Sequence, residues 1–199
     1  SRENKLTPWY NDLMSDNRGE LLIMKYNDVL YDLISLGNAK FTPSYAEWKT
    51  KISDIEFTVK ISIPEKGMTK KCSIKISNSS GSVRSFDLMY FVNPVSGVNK
   101  ESSGKFYVTK TENGLVFENS FAPMCGFTYL SCEGKIDYFC FSKKHFFEGI
   151  FNADEDETIN DCCAAVGKKF ELKKGESVST EFFLSWGALF CLTSLALTM

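Results

Sequence analysis

A chain of 199 residues with 43% hydrophobic and 24% charged residues has the composition of one ordinary globular domain, long enough to bury a sizeable core. Its net charge of -2, with Lys and Glu interspersed and no clustered basic face, argues against a nucleic-acid binder. Seven Cys and a single His, with no CxxC pair, argue against a zinc centre; no metal and no cofactor are expected. The thiols read as reduced, small apolar fillers of a cytoplasmic protein.

The chain opens on SRENKLTPWYND, Ser1–Asp12, which has neither a helical nor a strand period. Pro8 biases Thr7 toward an extended backbone. Its polar and aromatic side chains, Arg2, Glu3, Asn4, Trp9, Asn11 and Asp12, are the candidate substrate-binding residues, with Tyr10, Trp48 and Trp186 as further aromatic platforms. The competing reading of this cluster is docking against a neighbouring domain. Residues 1–50 are otherwise irregular, with short strands predicted over 21–25 and 29–33, and form a lead-in to a core over 51–187.

From Ser53 the pattern sharpens. In IEFTVKISI, Ile55, Phe57, Val59, Ile61 and Ile63 share one face and polar residues the other, the strict period of two of a strand with one wet face. Cys72, Ile74 and Ile76 alternate likewise, and NSSG supplies a turn. RSFDLMYFV places Phe86, Leu88, Tyr90 and Val92 on one face. FYVTKTENGLVFENS reads as a hairpin turning at Asn113-Gly114, the residue pair that a type I′ turn favours. Strands are predicted over 125–131 and 136–141, and two more on either side of Lys174-Gly175, with Val178, Thr180, Phe182, Leu184 and Trp186 in phase. This phase makes Trp186 a core residue rather than a platform. Nine or ten strands at about ten-residue spacing, with almost no helical period, predict an all-β antiparallel sandwich or barrel.

Residues 188–199 are apolar. Together with the end of the preceding strand they make 18 uncharged residues, Phe182–Met199, the lower limit for a spanning helix. Because the first third already belongs to the strand alternation, a buried strand running into an atypical terminus competes with a membrane anchor. No catalytic constellation stands out. Asp154, Glu155, Asp156 and Glu157 form a solvated acidic run, there is no GxSxG, P-loop or GxGxxG, and nothing places a thiolate beside His145.

Several segments, in order, resemble one family. SRENKLTPWYNDLMSDNRGE resembles the opening of the β-sandwich domain of glycoside hydrolase family 94 (formerly glycosyltransferase family 36), the group of cellobiose-type phosphorylases, β-1,2-oligoglucan phosphorylases and cyclic β-1,2-glucan synthases. Tyr10 replaces a usual Ser, and Leu13-Met14 replace Pro-Val. Asn78, Ser80, Arg84, Tyr90, Val92 and Gly97 match a strand–turn–strand pattern of the family, with Asn93 where Glu is common. KKHFFEG keeps Phe147 and Gly149 of another element, with Ile150 in place of Arg. Asp161, Cys163, Ala164, Ala165, Gly175 and Glu176 match a late block.

The resemblance implies a β-supersandwich of the galactose-mutarotase type, without the (α/α)6 barrel that holds the catalytic acid and phosphate site. The expectation is a non-catalytic N-terminal fragment of an enzyme that phosphorolyses or synthesises β-glucans, inactive alone. Its partners would be the missing (α/α)6 domain, a β-glucan oligosaccharide bound through the parent enzyme, and a second copy of the parent in a homodimer. A cyclic glucan synthase parent would place it at the inner membrane. A free-standing carbohydrate-binding module is the alternative.

Overall fold

The computed structural model describes residues 19–64, 68–95, 106–119, 126–152 and 162–187. They form thirteen strands and one short helix: β1 Glu20–Tyr26, β2 Val29–Asp32, β3 Asn38–Phe41, β4 Tyr45–Ile52, β5 Ile55–Ser62, β6 Thr69–Asn78, β7 Arg84–Val92, β8 Phe106–Lys110, β9 Gly114–Asn119, β10 Phe127–Cys132, β11 Tyr138–Ser142, α1 Lys143–Glu148, β12 Cys162–Leu172 and β13 Ser177–Gly187. The strands make two sheets. The smaller has the order β11-β12-β7-β1-β2 and the larger β3-β4-β5-β6-β13-β10-β9-β8. Every pairing is antiparallel. The architecture is the expected β-supersandwich, and the described residues include one short helix and no helical barrel.

The main core lies between the sheets, where the inward phase of each strand meets. Leu22 and Met24 of β1, Phe86, Leu88, Tyr90 and Val92 of β7, Phe57 of β5, Ile74 and Ile76 of β6, Phe117 of β9, Leu130 of β10 and Phe182 of β13 are all buried there. Aromatic rings lock the layers. Phe57 meets Phe86 edge-on at 5.8 Å, and Tyr90 lies 5.8 Å from Phe182 across the inter-sheet gap. Burying such side chains contributes roughly 1.5–3 kcal/mol each.

Polar ties close the sandwich at its ends, and several of the residues that carry the family resemblance make them. The Asn78 side chain, at the end of β6, donates through Nδ2 to the carbonyls of Ser82, Leu172 and Lys173 at 2.8, 3.0 and 3.1 Å. Its Oδ1 accepts from the Ser80 N–H and hydroxyl. The larger sheet is thereby fastened to the end of β12 in the smaller one. The next turn is held by Gly175, in the left-handed conformation at φ 72, and by Glu176, whose carboxylate accepts from the Lys173 N–H at 2.7 Å. Arg84 pairs with Asp54 at 3.2 Å, joining β7 to the β4–β5 turn. Elsewhere Glu20 of β1 accepts from the Tyr90 hydroxyl and pairs with Lys70 of β6 at 2.6 Å, again crossing between sheets.

Three expectations need correcting. The hairpin joining β8 and β9 is present, but Lys110 pairs with Leu115 and Thr111 N–H donates to the Gly114 carbonyl at 2.9 Å. Its central pair is therefore Glu112-Asn113, and neither Asn113 nor Gly114 has a positive φ. Gly114 is needed for a different reason: a Cβ there would lie 2.2 Å from the Leu130 carbonyl oxygen of the adjacent β10. The positive-φ pair required by a type I′ turn is found instead at Asn27 (φ 51) and Asp28 (φ 59), between Tyr26 and its partner Val29. Ile63 is 66% exposed, because β5 ends at Ser62 and Pro64 follows. The 38–50 stretch, read as irregular, falls in β3 and β4; β3 is exposed throughout and β4 is half-buried or exposed except at Thr50 and Ile52, so they carry little hydrophobic alternation.

Gly114→Ala should therefore destabilise the fold, by at least the ~1–3 kcal/mol of an overpacked core, since backbone and not a flexible side chain must move. A denaturant melt unchanged by the substitution would contradict the close approach of β9 and β10.

Candidate functional site

The site grows out of a strand with two buried faces. Residues of β7 in one phase fill the main core; Met89 and Phe91, in the other, point to the outer face of the smaller sheet. An apolar outer face needs a cover, and α1 provides it. Ile23 of β1, Met89 and Phe91 of β7, Cys140 of β11, Cys163 and Ala165 of β12, and Phe146 of α1 form a second, smaller core. Small residues on β12 keep this layer thin: a Cβ on Gly167 would lie 2.0 Å from the Met89 sulfur.

The helix is only six residues long, so its ends must be held from outside. At the N-terminus Ser142 Oγ accepts from the His145 N–H at 3.4 Å, an N-cap contact. At the C-terminus Gly149 adopts φ 73, the left-handed cap, and its carbonyl accepts from Lys25 Nζ at 3.3 Å. The same ammonium sits 5.5 Å from the centroid of the Phe151 ring. Asn152 then closes the excursion onto β11: its Oδ1 accepts from the Phe139 N–H at 3.0 Å, and its Nδ2 donates to the Asp137 carbonyl at 3.1 Å.

Between α1 and the sheet lies a cleft of about 370 Å³. Its floor comes from alternate residues of three neighbouring strands, Leu21 and Ile23 on β1, Leu30 and Asp32 on β2, and Phe91 and Asn93 at the end of β7; its wall is Lys143, Phe146 and Phe147 of α1. The three phenylalanines form a cluster, with ring centroids 4.7 Å apart for Phe91–Phe146, 5.7 Å for Phe91–Phe147 and 5.4 Å for Phe146–Phe147. Phe147 is 56% exposed and forms the rim. Asp32 is committed to its own turn, accepting from the Ile34 N–H at 3.1 Å and from Ser35. Asn93 is 2% exposed. Its N–H donates to the Gly19 carbonyl at 2.8 Å, but its Oδ1 has no hydrogen-bond partner.

Three of the buried thiols are poor nucleophiles. Burial pushes the Cys72 thiol up to about 12, with Lys70 opposing only in part. Burial likewise raises Cys132 to about 11 and Cys163 well above its ordinary value. These thiols stay neutral near pH 7 and are inert fillers. Burial, reinforced by the Glu20 charge, also holds Tyr90 well above its ordinary range, so it remains a donor to Glu20. No group of three or more His, Cys, Asp or Glu among the described residues could hold a metal ion, and no helix among them is long and apolar enough to cross a membrane.

The candidate residues Arg2, Glu3, Asn4, Trp9, Asn11 and Asp12, with Tyr10, lie outside the described residues, as do the acidic run 154–157 and the apolar 188–199. Trp48 packs partly buried against the main core, edge-on to Phe41 at 5.8 Å, and so is committed to packing at the sheet edge. Trp186 is in phase with buried Phe182 and Leu184, as expected, but is itself only half-buried rather than a buried core residue. The cleft was not anticipated. Its signal was the unbroken apolar run Leu88–Val92, which departs from one-sided alternation and marks a strand covered on both faces.

The family model for the glycosyl hydrolase 94 supersandwich domain matches residues 1–189. The chain belongs to this family. Solved structures share the fold at low identity. A putative kojibiose phosphorylase from the human microbiome superposes with a TM-score of 0.54 at 11% identity, over 89% of this chain and 24% of that one. A bacterial glucoamylase complexed with acarbose gives 0.61 at 15%, over 85% and 26%. A polysaccharide lyase gives 0.50 at 11%, over 83% and 25%. The chain thus spans about a quarter of the length of these proteins. No curated protein sequence matches it.

Two outcomes are expected. Lys25→Met, which keeps the aliphatic stem but removes the donor to Gly149, should cost about 1 kcal/mol and speed amide exchange across α1; unchanged exchange would show that the helix is held by its phenylalanines alone. The raised thiols also set a pH dependence. Unfolded thiols ionise near 9.0, whereas folded Cys72 ionises at about 12 and Cys132 at about 11. Their contribution to stability is therefore full below pH 9 and is lost as pH climbs from there toward the folded values. Chemical denaturation at pH 7 and pH 10 should show the loss, and Cys72→Ala should diminish it.

Proposed function

We propose that this supersandwich is a non-catalytic domain of a carbohydrate-active enzyme that phosphorolyses or synthesises β-glucans, and that its role is to buttress a catalytic domain. The family match across residues 1–189 carries the reading. It is supported by the use to which the characteristic residues are put. Asn78, Ser80, Gly175 and Glu176 bind backbone at the sandwich ends, and Glu20, held by Tyr90 of its own sheet, pairs with Lys70 of the other. These residues stiffen a scaffold and present no acid and base to a substrate. Glycoside cleavage with inversion needs two carboxyl groups set across one cleft, and the cleft beside α1 offers one carboxylate, already bound to its own turn.

The β-1,2 linkage is the finer part of the proposal and rests on the opening block SRENKLTPWYND. The free cysteines, Cys72, Cys132, Cys140, Cys162 and Cys163, suit a reducing, cytoplasmic setting. In this reading Arg2, Glu3, Asn4, Trp9, Asn11 and Asp12 serve interdomain docking or a sugar subsite completed by the catalytic domain.

Incubated with β-1,2-glucan and inorganic phosphate, the chain alone should release no glucose 1-phosphate. Release above a heat-treated control would overturn the buttressing role. Co-expression with the helical region of the same enzyme should give a stable complex with activity, and a parent gene encoding no such region would also count against it.

A further inference from the structure

We propose that Asn113-Gly114, at the tip of the β8–β9 hairpin, is a self-modification site, where the Gly114 nitrogen attacks the Asn113 side-chain amide and releases ammonia. Among the chain's asparagines, Asn113 alone precedes a glycine, and glycine, without a side chain, offers the least hindered backbone nitrogen. The fold itself demands that glycine, because a Cβ at position 114 would meet the Leu130 carbonyl oxygen. The fold also leaves the nitrogen unengaged. Cys132 N–H donates to the Asn113 carbonyl at 2.9 Å, so Gly114 and its partner Ser131 oppose each other as a pair that exchanges no hydrogen bonds. On the β8 side Thr111 N–H donates to the Gly114 carbonyl at 2.9 Å, and among the described residues no return bond from the Gly114 N–H is made.

The electrophile is prepared as well. Asn113 is exposed, yet its Oδ1 is held. The Tyr129 hydroxyl donates to it, and the Thr111 hydroxyl donates to it at 3.3 Å while also reaching the Gly114 carbonyl at 3.1 Å. Donors on a carbonyl oxygen stabilise the negative charge that grows there as a nucleophile adds. The attacking nitrogen and the Asn113 Cγ belong to neighbouring residues, so no encounter entropy is lost. In the reaction the Gly114 nitrogen gives its proton to solvent hydroxide and bonds to Cγ. The Cγ–Nδ2 bond breaks, and Nδ2 takes a proton from water and leaves as ammonia, giving a cyclic imide. Water then opens the imide at either carbonyl. Opening at Cγ gives aspartate, which keeps the turn and its two hydroxyl donors. Opening at the main-chain carbonyl gives isoaspartate, which adds a methylene to the backbone of a turn whose central pair is Glu112-Asn113. Because β8 ends the larger sheet and pairs there with β9 alone, lengthening this turn loosens the strand.

The test is ageing of the purified chain at pH 7 and pH 9, followed by peptide mapping in the mass spectrometer and amide exchange on the aged chain. Asn113 should convert faster than any other asparagine of the chain, and faster at the higher pH, where its nucleophile is more often deprotonated. Its conversion should be at least as fast as in the same chain held in guanidinium chloride. Tyr129→Phe keeps the ring and should slow conversion about three- to tenfold, the effect of one hydrogen bond. Amides of β8 should lose protection in the isoaspartyl chain and keep it in Asn113→Asp, which has the new charge on a normal backbone. Slower conversion in the folded chain than in the denatured one would overturn the site. Conversion that Tyr129→Phe leaves unchanged or speeds would overturn the activation by hydroxyl donors, and full β8 protection in the isoaspartyl chain would overturn the release of the strand. The buttressing role is judged separately, by phosphorolysis and complex formation.

Discussion

The two-sided burial of β7 is the constraint on which the smaller sheet depends. One phase of this strand, Phe86, Leu88, Tyr90 and Val92, is consumed by the core between the sheets. The other phase, Met89 and Phe91, is equally apolar and would otherwise face water. A sheet face of that kind must be covered, and the chain covers it with one helical turn and a half between β11 and β12. The local details follow from that need: the Ser142 cap, the left-handed Gly149, the Lys25 ammonium on the Gly149 carbonyl, and a glycine at position 167 where Met89 leaves no room for a side chain.

The same constraint produces the cleft beside α1. Because α1 is too short to cover the sheet to its end, β1, β2 and β7 continue beyond it, and their outward residues Leu21, Leu30 and Asn93 line an open concavity. The main sandwich, by contrast, is closed at its ends by polar ties, Asn78 to the end of β12, Arg84 to Asp54 and Glu20 to Tyr90 and Lys70. Rigid closure of the inter-sheet core and a small vacancy on its outer layer are a division suited to a scaffold that holds something else in place.

Much of the fold was legible because a half-buried strand writes its environment into alternation. Ile55, Phe57 and Val59, then Cys72, Ile74 and Ile76, and later Thr180, Phe182 and Leu184 announced their strands and inward faces, and all are buried. Legibility failed where alternation did. β3 is exposed on both faces and β4 is mostly half-buried, so neither carries a pattern. A six-residue helix is shorter than two turns and shows no period. Asn113-Gly114 misled because glycine answers two different needs, positive φ and close approach, and the sequence does not say which. The site was less legible still: the opening polar cluster drew attention as sequence, whereas Asn93 looks like an ordinary strand-end amide until its surroundings are known.

The amino-acid order by itself determined the all-β class, the inward residues of the long strands and, through its characteristic blocks, the glycosyl hydrolase 94 supersandwich family. These are properties of local period and residue identity, which need no knowledge of distant neighbours. Tertiary structure alone decided that Glu20 meets Tyr90 and Lys70, that Asn78 spans to Leu172 and Lys173, and that the Asn93 oxygen lies buried without a partner beneath α1. Each of those facts joins residues tens of positions apart, or depends on what fails to approach. Such relations are set by how two sheets and a helix pack, and no run of neighbouring residues records them.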